Sequence, residues 1–170
     1  MFWVFNVSFD PGVTTGYCVW LDGKIAELPG RKNPGHLAGK GDTFLDRFMS
    51  VRSQVSTLLA SLHEEGVVGQ VAIEEFMGFS QKIGDKDGHG PSFGKITMIK
   101  CATVRGGILS VSLSYTRKVC LINKRQVRKI QTAQLAQAYG ITTKDKDALD
   151  AFQIGVCAGF DRGSGTRLCF

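Results

Sequence analysis

Carboxylates recur in this sequence where apolar elements end. Phe2, Trp3, Val4, Phe5, Val7 and Phe9 suit a buried strand, and the run stops at Asp10, with Pro11 and Gly12 turning the chain behind it. Val67 to Ile73 is a second apolar run, ending in Glu74 and Glu75. Asp147 and Asp150 stand three residues apart, on one face of a helix, with Asp145 just upstream. Taken singly, each acid has an ordinary role: Asp10 as a turn residue before Pro-Gly, the glutamates as a solvated strand edge, Asp145 as a cap favoured by the helix dipole. Asp150 fits such a role less well, one turn further in among Ala148, Leu149, Ala151 and Phe152. Brought together at neutral pH, these carboxylates would repel one another and raise one another's pKa unless divalent cations lay between them. Mg²⁺ or Mn²⁺, which take oxygen ligands and keep open positions, would suit the donors. Two such ions about 4 Å apart can activate a water and stabilise the leaving 3′ oxygen of an in-line phosphodiester hydrolysis.

Several elements must position these acids. The first strand and the return run Tyr17–Leu21 predict a hairpin, and the Asp-Gly turn in LDGK at 21–24 leads to a short third strand over Ile25–Leu28. The stretch 29–41, PGRKNPGHLAGKG, is rich in glycine, proline and basic residues and reads as an exposed loop. Phe44, Phe48, Val51, Val55, Leu58, Leu59 and Leu62 recur at helical spacing, which predicts a helix from about Thr43 to Glu65, capped by Asp42 or Thr43 and ended by Gly66. Strand Val67–Ile73 follows, and only one of Glu74 and Glu75 can face the same way as Asp10, because adjacent strand side chains alternate. GDKDGHGPS at 84–92 is a polar loop flanked by Phe76, Met77 and Phe79. It reads equally as a surface loop without a role or as a nucleic-acid contact with stacking aromatics. A helix over 93–113, weakened or bent at Gly106 and Gly107, a strand over 118–122, a helix over 124–139 and a last helix from about residue 144 complete the order. In that last helix Leu149, Phe152, Val156 and Phe160 form the expected buried stripe, and residues 161–170 are expected to be a flexible tail.

The 170 residues, 43% hydrophobic and 21% charged, suit one domain, here expected over 1–160. Twenty-one Lys and Arg against fifteen Asp and Glu give a net charge of +6, a balance that favours a polyanionic partner but also fits a basic solvated surface. Lys124, Arg125, Arg128 and Lys129 share one stretch ahead of the last acids and would suit phosphate contacts. The apolar runs are short, and no basic segment precedes a hydrophobic one at the N-terminus, so no membrane association and a cytoplasmic location are expected. Five dispersed cysteines without a CxxC pair read as reduced thiols, and His89 has no ligand spacing with His36 or His63.

FDPGVTTGY at 9–17, VAIEEF at 71–76 and DALDAF at 147–152 resemble the three acidic motifs of RuvC-type Holliday junction resolvases, in the ribonuclease H-like superfamily. The likeness covers nearly the whole chain in motif order, length and the helix between the first two motifs, and CATVRGGILSVS at 101–112 is similar to the family's glycine-containing helix. The resemblance implies an α/β ribonuclease H-like fold, a mixed sheet of three antiparallel strands then parallel ones, flanked by helices. It implies Asp10, Glu74, Asp147 and Asp150 as catalytic metal ligands for two Mg²⁺ ions, with Mn²⁺ able to substitute, and Glu74 rather than Glu75 because it follows Ala-Ile. A homodimer making paired symmetric nicks in four-way DNA junctions, leaving 5′-phosphate and 3′-hydroxyl ends, is implied as well, in DNA recombination and repair. Phe76 or Phe79 would meet the junction centre, and Arg128, Lys129, Lys144 and Lys146 the phosphates. The interval from QVRK at 126–129 to Asp147 is shorter than in bacterial members; Lys144 and Lys146 stand in for the family's later DNA-contacting lysine, and a compact, basic chain of this kind resembles phage-encoded members, which act in the host cytoplasm. Three other readings stand beside it. One is another ribonuclease H-like nuclease acting on RNA, RNA:DNA hybrid or flap DNA, and another is a non-catalytic junction-binding protein. The third, an ATP-binding domain of the actin and sugar-kinase type, lacks room for a second lobe.

Overall fold

The computed structural model describes residues 2–75, 95–123 and 132–162. β1 (Trp3–Asp10) and β2 (Thr14–Leu21) form the expected hairpin, paired from Phe5 opposite Leu21 to Asp10 opposite Gly16. Asp22 and Gly23 both have positive φ, 49° and 79°, which is the conformation that lets a two-residue turn follow the twist of its strands. The third strand, β3 (Lys24–Ile25), is shorter than expected. β5 (Gly66–Glu75) pairs parallel to β1, and β6 (Val119–Asn123) pairs parallel to β5, giving the order β3-β2-β1-β5-β6. The sheet is mixed, antiparallel on one side and parallel on the other, with helices on both faces, as a ribonuclease H-like α/β fold requires.

One expectation is overturned at residues 29–41. Gly35–Ala38 is not an exposed loop but a strand, β4, antiparallel to β2 with Gly16 opposite His36. Its burial alternates, Gly35 and Leu37 inside and His36 and Ala38 outside, which is the strand period beneath a loop-like composition. Gly35 is needed because a Cβ there would meet the Tyr17 ring at 2.8–2.9 Å. The Asn33 side chain fastens the preceding segment: its Nδ2 donates to the carbonyls of Val19 and Ala26 at 2.8 Å, and its Oδ1 accepts the Val19 N–H at 2.9 Å.

Alternation divides the core in two. Phe5, Val7 and Phe9 of β1, with Val71 and Ile73 of β5, face α1 (Phe44–Glu65) and α2 (Lys95–Leu113). α1 starts as expected, with Thr43 and Asp46 forming a reciprocal capping box, and it buries Val51, Val55, Leu58, Leu59 and Leu62. α2 runs unbroken through Gly106 and Gly107; a Cβ on Gly107 would lie 2.5 Å from the Phe48 ring, so this glycine lets α2 close on α1. The opposite face carries Cys18, Trp20, Ala72, Cys120 and Ile122, covered by α3 (Thr132–Ala138) and α4 (Lys146–Cys157). Trp20 stacks on Phe152 at 5.4 Å, and Tyr139 packs edge-on against both. The stripe of α4 differs from expectation. Phe152 and Phe160 are buried, but Leu149 and Val156 are only half-buried, and Ala148, Ala151, Ile154 and Gly155 complete the contact. Alanine and glycine take three of these places because the helix lies so close to the sheet: a Cβ on Gly155 would fall 2.3 Å from Trp20 Nε1. Phe160–Arg162 is a 3-10 turn, with Tyr139 donating its hydroxyl hydrogen to Asp161.

Candidate active site at the carboxyl end of the sheet

β1 and β5 run parallel and, after a one-residue irregularity beyond Phe5, pair from Asn6 opposite Gln70 to Phe9 opposite Ile73, so Asp10 and Glu74 are the next residues on neighbouring strands. Strand neighbours lie about 5 Å apart. Asp10 shares the face of Ser8, which bonds to Trp20 on the α4 side. Glu74 shares the face of Ala72, also in the α4-side core, whereas Glu75 falls on the face of Ile73 toward α1. Strand parity therefore puts Glu74, and not Glu75, on the side of Asp10.

α4 approaches the same corner. Gly16, the strand partner of Asp10, has no room for a side chain, since its Cβ would sit 1.8 Å from the Asp147 carbonyl oxygen. The first turn of α4 thus rests on the β2 residue beside Asp10, and Gly155 lets the far end of the helix close on the Trp20 side chain. Asp147 and Asp150 follow from this seat, one helical turn apart, and both are half-buried, as are Asp10 and Glu74.

The helix start is fixed by a pair that sequence reading separated. Asp145 is the N-cap of α4, accepting the backbone N–H groups of Asp147 and Ala148 at 3.0 and 3.2 Å, while its other oxygen meets His36 Nδ1. His36 lies opposite Gly16 on β4, so Asp10, Gly16 and His36 form one cross-strand row. In the sequence His36 stands out only by its lack of ligand spacing with His89; its strand signal, the alternation in PGHLA, is hidden by glycine and proline. Burial acts to raise the Asp145 carboxyl, but the Ala148 N–H, His36 and the Asp147 N–H outweigh it and hold the group below its usual range. Asp147 moves the other way, raised chiefly by burial and then by the Asp145 charge, against His36 and Lys146.

The carboxylate oxygens of Asp10, Glu74, Asp147 and Asp150 suit hard divalent cations. Among the described residues, however, no three His, Cys, Asp or Glu side chains converge as a metal cluster, so the backbone brings the acids to one corner without closing their oxygens around a point. Lys144 and Lys146 are exposed on either side of Asp145. Phe76, Phe79, Arg128 and Lys129 lie outside the described residues.

The fold is a RuvC-like, ribonuclease H-like α/β fold. Among solved structures the chain is similar to Thermus thermophilus RuvC in complex with Holliday junction substrate, with a TM-score of 0.67 and 16% identity over 92% of this chain and 93% of that one. A second structure of Thermus thermophilus RuvC matches with a TM-score of 0.64 and 14% identity over the same shares. No protein-family model and no curated protein sequence matches the chain. Among the described residues, no helix is long and apolar enough to cross a membrane.

Proposed function

We propose that this protein is a divalent-metal-dependent endonuclease that resolves four-way DNA junctions by paired symmetric nicks, working as a two-fold homodimer. The observation that carries the reading is the meeting of Asp10, Glu74 and the first turn of α4 at one corner of a RuvC-like fold. Asp10 and Glu74 are presented from the ends of paired strands, which hold their backbones rigidly, and Asp147 and Asp150 from a helix pinned at both ends by glycine contacts. Mg²⁺ or Mn²⁺ bound among them would offset the charge that develops on the scissile phosphate during in-line displacement. Lys144 and Lys146, with Arg128 and Lys129, hold neighbouring phosphates, and Phe76 or Phe79 stacks at the opened junction centre. A four-way junction offers two symmetry-related strands, which a two-fold dimer can cut in the same geometry.

The test is to incubate wild-type protein and Asp10→Asn with a labelled four-way junction, a matched linear duplex and an RNA:DNA hybrid, with and without Mg²⁺. Symmetric metal-dependent nicks confined to the junction, abolished by the substitution while junction binding persists, are expected. Equal cutting of the hybrid would assign the chain to another ribonuclease H-like activity, and binding without cutting to a non-catalytic junction binder.

A further inference from the structure

Beside the acidic corner runs a groove in two lobes, with volumes of about 530 and 580 Å³, that share Lys32, Pro34 and Thr143. The first lobe lies between the segment leading into β4 and α1, and the second reaches the segment that joins α3 to α4. Arg31, Lys32 and Lys144 line it with exposed cationic side chains. Among the described residues its one carboxylate, Asp145, is engaged by His36 and by the N-terminus of α4. The remaining polar lining includes Thr143, whose hydroxyl accepts the Asp145 N–H at 3.2 Å and keeps its own hydrogen for a phosphate oxygen, whereas Gln54 and Thr57 already donate to Ala38 and Ser50 and to Ser53. The cations stand on a fixed support: Asn33 makes its three bonds to β2 and to the chain beyond β3, and Tyr17 donates its hydroxyl hydrogen to the Lys32 carbonyl at 2.7 Å. A positively charged, hydroxyl-lined groove on a rigid loop suits a regular polyanion, because little ordering entropy is lost on binding.

We propose that this groove is a second DNA-backbone track, in which Arg31 and Lys32 neutralise phosphates of a duplex arm outside the scissile position. The inference rests on the nuclease reading above and extends it to residues that none of the acidic motifs contains. Asp145 lines the first lobe and lies two residues before Asp147, so an arm lying in the groove runs beside the acids.

The experiment measures junction binding by wild-type protein, without divalent metal, as a function of NaCl concentration. Three double variants are compared: Arg31→Ala with Lys32→Ala, the same pair changed to Gln, and a control pair, Arg117→Ala with Lys118→Ala. The control cations are exposed just before β6, at the opposite end of the sheet. Each lost phosphate contact removes about 0.9 from the slope of log affinity against log salt. Both groove variants should flatten that slope by about 2 and bind more weakly at low salt, while the control keeps the wild-type slope. The Gln pair preserves side-chain bulk, so an effect of the Ala pair alone would be a packing effect and would overturn the proposal. An unchanged slope in both groove variants, or an equal change in the control, would also overturn it and leave the nuclease reading intact. Wild-type protein that binds no DNA would overturn both.

Discussion

Asp145 and Asp147 stand two residues apart at the start of α4, yet their carboxyls shift in opposite directions, one depressed and the other raised. A depressed group stabilises the fold at pH above its unfolded value, and that stability is lost as pH falls through the folded value. A raised group is unfavourable once pH rises past its folded value. Urea unfolding from about pH 7 down to about pH 2.5, below the ordinary Asp value near 3.9, should therefore separate them. Asp145→Asn should be less stable than wild type at neutral pH, with the difference closing at the acid end. Asp147→Asn should gain stability at neutral pH and converge on wild type in acid. Asp145→Ala, which removes the cap altogether, should cost about 1 kcal/mol. Equal pH dependence of the two amide variants would contradict the assigned surroundings. The strand-end positions of Asp10 and Glu74 were legible in the sequence, because a carboxylate ending an apolar run stands out locally; the family resemblance preferred Glu74 to Glu75, and strand parity puts Glu74 on the side of Asp10. The His36–Asp145 pair spans 109 positions, and nothing local to either residue announces the other.

At the scale of elements, glycines decide how the layers meet, Gly16 against the backbone of α4 and Gly107 and Gly155 against the Phe48 and Trp20 side chains. Gly16→Ala should be among the most damaging single changes, since the Asp147 carbonyl that would clash is backbone and cannot turn aside. We expect a loss of about 1–3 kcal/mol, as for an overpacked core, together with a fall in cleavage beyond that of an equally destabilised variant. Thr43→Ala supplies that comparison: it breaks the capping box of α1, which packs on the face of the sheet opposite α4, for about 1 kcal/mol. Thermal unfolding and cleavage rates measured on both would check the contrast; equal activity at equal stability would deny Gly16 a part in placing α4. α1 was legible almost to the residue because its cap, periodic stripe and terminal glycine agree. β4 was not, because Pro34, Gly35 and Gly39 are loop signals, and their structural reasons, close approaches to Tyr17, Val13 and Arg47, are long-range or visible only once folded.

For the whole molecule, the direction of the strands matters more than any one side chain. β1 and β5 point their carboxyl ends the same way, and the positive end of the α4 dipole arrives at that corner, so acids accumulate where a net +6 chain can tolerate them. A cation binding there stabilises the folded state alone, by RT ln(1 + [L]/Kd), or about 2.7 kcal/mol at a hundredfold excess over Kd. For a chain of this size that corresponds to a rise in Tm of roughly 5–10 °C. Mn²⁺ or Mg²⁺ should produce this rise in wild type, a smaller one in Glu75→Gln only if that residue also binds, and none in Asp10→Asn or Asp150→Asn. Thermal melts over a metal titration therefore test the acidic corner without any nuclease assay. A shift retained by Asp10→Asn and Asp150→Asn would move the metal elsewhere on the fold, and a shift lost in Glu75→Gln but kept in Glu74→Gln would reverse the assignment made from strand parity.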